Sequence, residues 1–269
     1  MEDKFIDTFP SYQNIINIFE GEWSSKMPDS SGLLATPGHA TLFQDERIAW
    51  MARELGPITG MSVLELGPLE GAHSYMLQQL GAFNVVSLEA NVRAFLKCLC
   101  VKEIYGLCRV NYLLGNFIPY LKHKDLNFDL IIASGVLYHM VEPWALLELM
   151  VERSNKIFLW SHYFDKEVID RRSDHELFSA IDAVDFSGHK FLFSKRVYPN
   201  AALNWNGFSG GNDSYATWMS KESILTFLEA KGFIVKTDFD QPHHPNGPAF
   251  AICAHRSGKS TESIPIFGV

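Results

Sequence analysis

The sequence predicts an α/β protein built on a seven-stranded, mostly parallel sheet with helices on both faces. Between residues 61 and 160, short apolar strands alternate with segments of helical periodicity, and one more helix and two strands follow residue 219. Because strands that alternate with helices form right-handed βαβ units, the first five strands are expected to be parallel. Hydrophobic residues make up 47% of the 269 residues and charged residues 20%, which is an ordinary globular composition.

Turn and capping residues delimit the individual elements. Asn91 and Ser220 are expected to cap helices, Pro143 suits a first helical turn, and Gly106 suits a helix end. Further helices are expected around residues 12–19, over residues 45–55, between residues 71 and 81, and from Ser220 to Lys231. Strands are expected at residues 63–66, 85–88, 110–114, 128–133, 157–160, 233–239 and 249–254.

The chain divides into a main domain with additions at both ends. Residues 1–60 are expected to form N-terminal helices and a lid loop, since the stretch 21–40 is rich in Ser, Pro and Gly. The main domain spans residues 61–256, with an insertion over 164–219 where aromatic, Asn and Gly residues break the rhythm of strands and helices. Residues 257–269 are expected to form a flexible tail.

Charge and composition narrow the possible partners and location. The formal net charge is −8, and the densest basic pairs, Arg171-Arg172 and Lys195-Arg196, are short, so a nucleic-acid partner is disfavoured. The most apolar long stretch, residues 128–151, contains several charged residues, so it is expected to be a strand and a helix and not a membrane span. Four scattered cysteines and no recognisable signal peptide favour a reduced, cytoplasmic protein.

Polar residues and glycines follow the predicted strands where a ligand site is expected. In an open parallel sheet, ligands bind at the carboxyl ends of the strands. Those ends carry the segment Glu65–Gly71, Glu89, Asn116, the segment Ser134–His139 and His162. Glu89 lies 18 residues after Gly71, at the tip of the second strand, where a carboxylate can accept hydrogen bonds from both hydroxyls of a ribose.

These residues resemble the class I S-adenosylmethionine-dependent methyltransferases. The resemblance covers about residues 55–162 and returns at 215–254, and Leu69 stands where the family has its middle glycine. It implies a Rossmann-like fold, S-adenosyl-L-methionine as cofactor and S-adenosyl-L-homocysteine as product. It also implies that Glu89 binds the ribose, Ala90 lies against the adenine, and Asn116 and Phe117 contact the adenine. The cofactor-binding residues that it implies are Glu65, Gly67, Pro68, Gly71, Glu89, Ala90, Asn116, Phe117 and Ser134.

A second stretch narrows the resemblance within this family. Residues 134–139, followed by Pro143, resemble the transfer RNA wobble-uridine carboxymethyltransferases, while residues 64–71 together with 160–163 are more similar to small-molecule and glycan methyltransferases. We therefore expect O-methylation of a small molecule or glycan. Two alternatives stay open, namely a carboxymethyltransferase and a catalytically silent cofactor-binding protein. The carboxymethyltransferase needs a cation for the extra carboxylate, and neither motif contains an arginine.

Three side chains are candidates for the chemical step. His139 is the first choice for a general base, because a histidine with a pKa near 6.5 can accept the hydroxyl proton as the methyl group moves. His162 is the second choice for the base, and Tyr138, which precedes His139 in the sequence, is the third candidate for a catalytic residue. No metal is expected, although His162, Asp165, Asp170 and Asp174 leave that alternative open.

Aromatic residues outside the motifs have two interpretations. They could line an acceptor pocket, or they could form satellite clusters beneath long loops. These residues are Trp23, Trp205, Phe208, Tyr215 and Trp218. His243 and His244 are expected to be surface or rim residues.

Overall fold

The structure, a computed structural model, describes residues 5–123, 125–205 and 210–256. Its strands are β1 (Trp23–Ser25), β2 (Pro37–Ala40), β3 (Ser62–Leu66), β4 (Asn84–Glu89), β5 (Val110–Leu114), β6 (Leu130–Ser134), β7 (Lys156–His162), β8 (Asp182–Phe186), β9 (His189–Val197), β10 (Tyr215–Met219), β11 (Ile234–Gln241) and β12 (Ala249–His255). Its α-helices are α1 (Tyr12–Asn17), α2 (Glu46–Glu54), α3 (Ala72–Gln79), α4 (Val92–Tyr105), α5 (Phe117–Leu121), α6 (Pro143–Arg153), α7 (Lys166–Ile169), α8 (Asn200–Leu203) and α9 (Lys221–Ala230). Residues 257–269, the predicted tail, lie outside the described residues.

The central sheet confirms the predicted fold class. Its seven strands run in the order β11-β12-β7-β6-β3-β4-β5, and β12 is antiparallel to both β7 and β11 while the other pairs are parallel. The chain leaves β3 to build β4 and β5 on one side and returns to build β6 on the other. The carboxyl ends of β3 and β6 therefore flank a topological switch point, where an open α/β sheet binds its ligands.

Local signals in the sequence delimit the helices as expected. The Asn91 side chain accepts hydrogen bonds from the backbone N–H groups of Arg93 and Ala94, at 2.9 and 3.0 Å, and caps α4. Gly106 ends α4 in the left-handed conformation, and Pro143 occupies the first turn of α6. Ser220 caps α9 in the same way as Asn91 caps α4.

The insertion over 164–219 contains regular structure that the sequence analysis did not predict. Strands β8, β9 and β10 form a three-stranded antiparallel sheet in the order β10-β9-β8. Phe191 and Phe193 of β9 are buried and pack on Trp144 of α6, with ring centroids 6.4 and 5.3 Å apart. The small sheet therefore shares the core of the main domain and is held against the carboxyl edge of the central sheet.

The stretch 21–40 differs from the loop that its composition predicts. Strands β1 and β2 pair in parallel within it, and Trp23 is fully buried, with its indole Nε1 donating to the carbonyl of Ile16 at 2.8 Å. The sequence analysis missed this because Ser, Pro and Gly are equally typical of loops and of short strands bounded by turns. Trp23 belongs to the core, so it is not available to line a pocket.

A buried ion pair fastens β1 to the turn that follows β3. The Glu70 carboxylate accepts hydrogen bonds from the backbone N–H groups of Ser24 and Ser25 at 2.9 and 2.8 Å. Lys97 of α4 completes the contact, with its Nζ 3.0 Å from Glu70 Oε1 and 2.5 Å from the carbonyl oxygen of Glu22. Both charged side chains are buried, so removal of either one would leave the other as an unpaired charge in the interior.

Candidate functional site

The turn between β3 and α3 contains two glycines at positions where the surrounding side chains leave no space for a Cβ atom. Gly67 and Gly71 have φ values of 63° and 80°. A Cβ atom on Gly67 would lie 2.9 Å from Val136 Cγ2, and one on Gly71 would lie 2.5 Å from the Tyr112 hydroxyl oxygen. Leu69 also adopts a positive φ of 56°, although it stands where the family has glycine.

Glu89 lies directly beneath this turn. Its Oε2 accepts a hydrogen bond from the backbone N–H of Leu69 at 3.2 Å, and its Oε1 accepts from the N–H of Asn91 at 2.8 Å. Burial raises the pKa of the carboxyl group, and these backbone donors oppose that effect. The turn and the tip of β4 are therefore joined through one carboxylate, at the position predicted for a ribose-binding acid.

Glu65 occupies a different position from the other predicted cofactor residues. Its side chain is buried below the turn, where it accepts hydrogen bonds from the hydroxyl groups of Ser74 and Ser87. Its Oε1 is buried without a hydrogen-bond partner among the described residues, and burial raises its pKa. The geometry favours a supporting role for Glu65, which joins α3 to β4, over a direct ligand contact.

The predicted adenine residues lie on neighbouring strand ends. Glu89 is paired with Leu114 across β4 and β5, so Ala90 and Asn116 both follow paired strand ends. Ala90 is exposed, and Phe117 is half-buried. The Asn116 Oδ1 accepts from the N–H of Ile118 at 2.8 Å and caps α5, which leaves one lone pair of this oxygen for a ligand.

Aromatic rings crowd the ends of β6 and β7. We call Tyr138, Trp160, His162 and Trp218 the aromatic cluster. The Tyr138 and His162 ring centroids are 4.5 Å apart, and the imidazole of His162 stacks on Trp218 at 5.0 Å with an interplanar angle of 7°. Trp160 lies 5.1 Å from His162 and 6.0 Å from Tyr138. Trp218 belongs to β10, so the insertion contributes one of the rings of the aromatic cluster.

The tautomer of His162 follows from its hydrogen bonds. Its Nδ1 lies 2.8 Å from the carbonyl oxygen of Gly247 and 3.2 Å from that of Pro248. Because a carbonyl oxygen can only accept, Nδ1 carries the hydrogen, and the neutral ring has its lone pair on Nε2. Burial lowers the pKa of His162 to about 4, so the ring is neutral at physiological pH.

His139 and Tyr138 lie beside this group. The His139 Nδ1 is 2.8 Å from the Tyr198 hydroxyl oxygen, and a hydroxyl can donate or accept, so this contact does not define the tautomer. Burial lowers the pKa of His139 to about 3. Burial also raises the pKa of Tyr138, whose phenol is protonated at neutral pH.

Two arginines approach the cluster from distant parts of the chain. The Arg47 guanidinium lies 4.4 Å from the centroid of a Trp160 ring and is paired with Asp45, whose carboxylate also accepts from His73 Nε2 at 2.8 Å. Arg196 of β9 lies 5.6 Å from Trp218 and 5.9 Å from Tyr198, measured to the ring centroids.

Comparisons with solved structures provide an independent test of the fold. The N-terminal domain of EvdMO1, crystallised in the presence of SAH and D-fucose, is 19% identical, with a TM-score of 0.67 over 91% of this chain and 95% of that one. Full EvdMO1 aligns at 20% identity and a TM-score of 0.57, and this chain spans about half of it, 46%. Magnesium protoporphyrin IX methyltransferase (ChlM) from Synechocystis PCC 6803 with bound SAH is 15% identical, with a TM-score of 0.53 over 79% of this chain and 81% of that one. The chain has the class I methyltransferase fold.

Sequence comparisons do not extend this result, since no protein-family model and no curated protein matches the chain. At these identities the structural similarity establishes the fold, and the roles of individual residues depend on the geometry described above. Among the described residues there is no group of three or more His, Cys, Asp or Glu side chains that could hold a metal ion. None of the described helices is long and apolar enough to cross a membrane.

The methyltransferase fold brings together most, but not all, of the predicted site residues. Tyr138, His139, His162 and Trp218 lie close together. Trp205 is mostly exposed, Tyr215 contacts the ammonium of Lys195, and Phe208 lies outside the described residues. The sequence analysis missed the contributions of Arg47, Arg196, Tyr198 and Gly247, whereas His244, expected at the surface or rim, lies with its partly buried ring 5.1 Å from that of His162. No local motif indicates the missed residues, because each reaches the cluster from a separate segment.

Gly247 is expected to tolerate no side chain. Its φ is +114°, and a Cβ atom there would lie 2.6 Å from two ring carbons of Trp218. We expect Gly247→Ala to lower the free energy of unfolding by about 1–3 kcal/mol more than Gly232→Ala does, through this steric overlap. Gly232 is a matched control, because its φ is +82° and nothing lies within 4 Å of its would-be Cβ. Urea unfolding of both variants checks this, and equal losses would contradict it.

Proposed function

We propose that the chain is an S-adenosylmethionine-dependent methyltransferase that methylates a hydroxyl oxygen of a small molecule or glycan in the cytoplasm. The observation that carries the proposal is the orientation of His162, whose Nδ1–H is held by Gly247 and whose basic Nε2 lies within the aromatic cluster. A neutral imidazole nitrogen held in this orientation can accept the proton of an alcohol as the methyl group is transferred. The presence of D-fucose in the crystals of the EvdMO1 N-terminal domain supports a sugar or similar small acceptor.

The residues on the cofactor side fit S-adenosylmethionine. The glycine turn packs its backbone closely against Val136 and Tyr112, and Glu89 presents a carboxylate below it. S-adenosylmethionine, when bound, supplies an electrophilic methyl group on a sulfonium. In this assignment Glu89 holds the ribose hydroxyls, while Ala90 and Phe117 flank the adenine.

On the acceptor side the chain orients a hydroxyl and removes its proton. His162 Nε2 would accept the hydroxyl proton as the acceptor oxygen bonds to the methyl carbon and the bond from that carbon to the cofactor sulfur breaks, which leaves S-adenosylhomocysteine. Tyr138 and Trp160, which are partly exposed, would offer ring faces to the acceptor, and the buried Trp218 supports His162 from behind and helps to exclude water. His139 is the second candidate for the base, and Tyr138 retains its proton, so it can act as a hydrogen-bond donor.

The cofactor assignment is tested at Glu89. We expect Glu89→Ala to weaken the binding of S-adenosylhomocysteine at least about tenfold, because a carboxylate that accepts from the ribose is lost. Isothermal titration calorimetry measures the affinity, and circular dichroism checks that the turn still folds without the acceptor for the Leu69 N–H. Glu103→Ala, an exposed carboxylate on α4, is the control. Unchanged affinity in Glu89→Ala would remove the cofactor assignment.

Carboxymethyl transfer is a second candidate function that one observation favours. The two motifs contain no arginine for the extra carboxylate, but Arg47 and Arg196 lie next to rings of the aromatic cluster in the folded chain. The sequence analysis did not connect either arginine with the site. A preference for a carboxylated cofactor over S-adenosylmethionine would distinguish this function from methylation. A catalytically silent protein would bind S-adenosylhomocysteine but show no turnover in an acceptor screen.

A further inference from the structure

Arg196 and a neighbouring arginine share one carboxylate, which neutralises only one of their two positive charges. The Arg196 Nη2 lies 3.6 Å from Asp174 Oδ2. Asp174 already accepts two shorter hydrogen bonds from Arg172, at 2.7 and 3.2 Å. Two guanidinium groups therefore share one carboxylate, although the chain as a whole has a net charge of −8. The local excess is one positive charge next to the aromatic cluster.

The guanidinium of Arg196 is also incompletely hydrogen-bonded. Its Nε is buried and has no hydrogen-bond partner among the described residues. The surrounding groups are rings, since the guanidinium carbon lies 5.8, 5.9 and 5.6 Å from the centroids of Phe178, Tyr198 and Trp218. Ring faces attract a cation but accept no strong hydrogen bond, so the buried Nε–H group is left without an acceptor, and an anion that entered beside the rings would supply one.

The position of Arg196 connects this charge to the proposed chemistry. Trp218, one of the rings that it faces, stacks on His162, and Tyr198, another, contacts His139. An anion held by Arg196 would therefore be separated from each candidate base by a single ring. Arginine suits such a place better than lysine, because its planar fork stacks on rings and pairs with a carboxylate through two parallel hydrogen bonds.

We propose that this site takes a ligand with a carboxylate group, and that Arg196 is the residue that pairs with it. The inference rests on the proposed function and specifies the class of ligand. The carboxylate has two possible sources, the acceptor of the methylation reaction or, in the second candidate function, a carboxylated form of the cofactor. In support, after burial and the neighbouring His162, Arg196 contributes to lowering the pKa of His139, which an anion at this position would reverse.

The test compares matched charged and neutral probes. In one arm, protein saturated with S-adenosylhomocysteine is titrated calorimetrically with 4-hydroxybenzoate against 4-hydroxybenzamide, and with D-glucuronate against D-glucuronamide. In the other arm, binding of S-adenosyl-S-carboxymethylhomocysteine is compared with that of S-adenosylmethionine. In one arm we expect the ligand with the carboxylate to bind at least about tenfold more tightly than its matched partner without one. That arm identifies the source of the carboxylate. Arg196→Gln should reduce the preference to less than about twofold.

Lys195→Gln is the matched control. Lys195 is the adjacent residue of β9 and has the same charge, but its ammonium lies over Tyr215, on the other face of the strand. This variant should keep the preference of the wild type. Absence of a preference in both arms, or its survival in Arg196→Gln, would overturn the inference while S-adenosylhomocysteine still binds. Failure of S-adenosylhomocysteine to bind the wild type would instead count against the proposed function itself.

Discussion

Replacing His162 by glutamine is expected to lower turnover by about 10²–10⁴-fold, the usual contribution of a positioned general base. Glutamine keeps most of the side-chain volume and can still donate to Gly247, but it has no basic nitrogen. S-adenosylhomocysteine affinity should stay within a few-fold, because the predicted cofactor contacts lie at the ends of β3, β4, β5 and β6, whereas His162 ends β7. The measurement is kcat on an acceptor found by screening. His139→Gln is the paired variant, and a loss confined to it would transfer the role of base to His139.

The pH dependence of the wild type provides a second test of the same assignment. The sequence alone predicts an inflection near pH 6.5, as for an ordinary histidine. Burial lowers the pKa of His162 to about 4, with further effects from His244 and Arg196, so the basic form dominates above about pH 5. The profile of kcat/KM should therefore be level from about pH 5 to pH 8 and fall only as the pH approaches 4. An inflection near pH 6.5 would contradict His162 as the base.

Stability should fall over part of the same range. A histidine whose pKa is lowered by folding binds more protons in the unfolded state at acid pH. The contribution of these histidines to the free energy of unfolding is therefore complete above about pH 6.5. It is lost as the pH falls through the folded pKa values of His139 and His162, about 3 and 4. Activity below pH 5 must be corrected for the unfolded fraction, measured by circular dichroism.

Lys97→Met is expected to lower the free energy of unfolding by about 3–5 kcal/mol. The change leaves the Glu70 carboxylate buried without its charged partner and removes a hydrogen bond to the carbonyl of Glu22. Urea unfolding followed by circular dichroism gives the value. Lys166→Met, in the exposed i,i+4 pair with Asp170, should cost less than about 0.5 kcal/mol.

A double variant separates the loss of the ion pair from the loss of packing. Lys97→Met combined with Glu70→Gln leaves no unpaired charge, so it should be more stable than Lys97→Met alone. If the two single changes and the double change were additive, Glu70 and Lys97 would not be coupled, and the pair would not fasten β1 to the turn.

Much of the fold could be predicted because its signals are local. Asn91 and Ser220 cap their helices with side chains that reach only the first turn, and Gly106 ends α4 through its own backbone conformation. The inner strands of the central sheet, such as β6, are apolar runs, since both faces of the sheet are covered there. By contrast, β1 and β9 were missed, because the pairing of such short or inserted strands depends on contacts with distant residues.

The candidate site also has one part that local sequence signals predict and another that depends on contacts between distant residues. The turn at Gly67–Gly71 and Glu89 follow successive strands, so their sequence spacing alone brings them together. His162 was identified as a candidate, but its partner Gly247 lies 85 residues away. Arg47 and Arg196 lie on opposite sides of the motifs along the chain, and only the packing of α2 and β9 against the sheet edge brings them to the aromatic cluster.

The sequence by itself determined the seven strands of the central sheet and the helices that alternate with them, the glycine turn and the acid at the tip of β4, because periodicity, capping and turn chemistry act between residues close in the chain. Only the tertiary structure decided which histidine has a defined tautomer, how far burial lowers the pKa values of both, and where the arginine charges lie. These properties arise from solvent exclusion and from hydrogen bonds between residues distant in sequence, which exist only after the sheet, the insertion and the N-terminal segment have packed together.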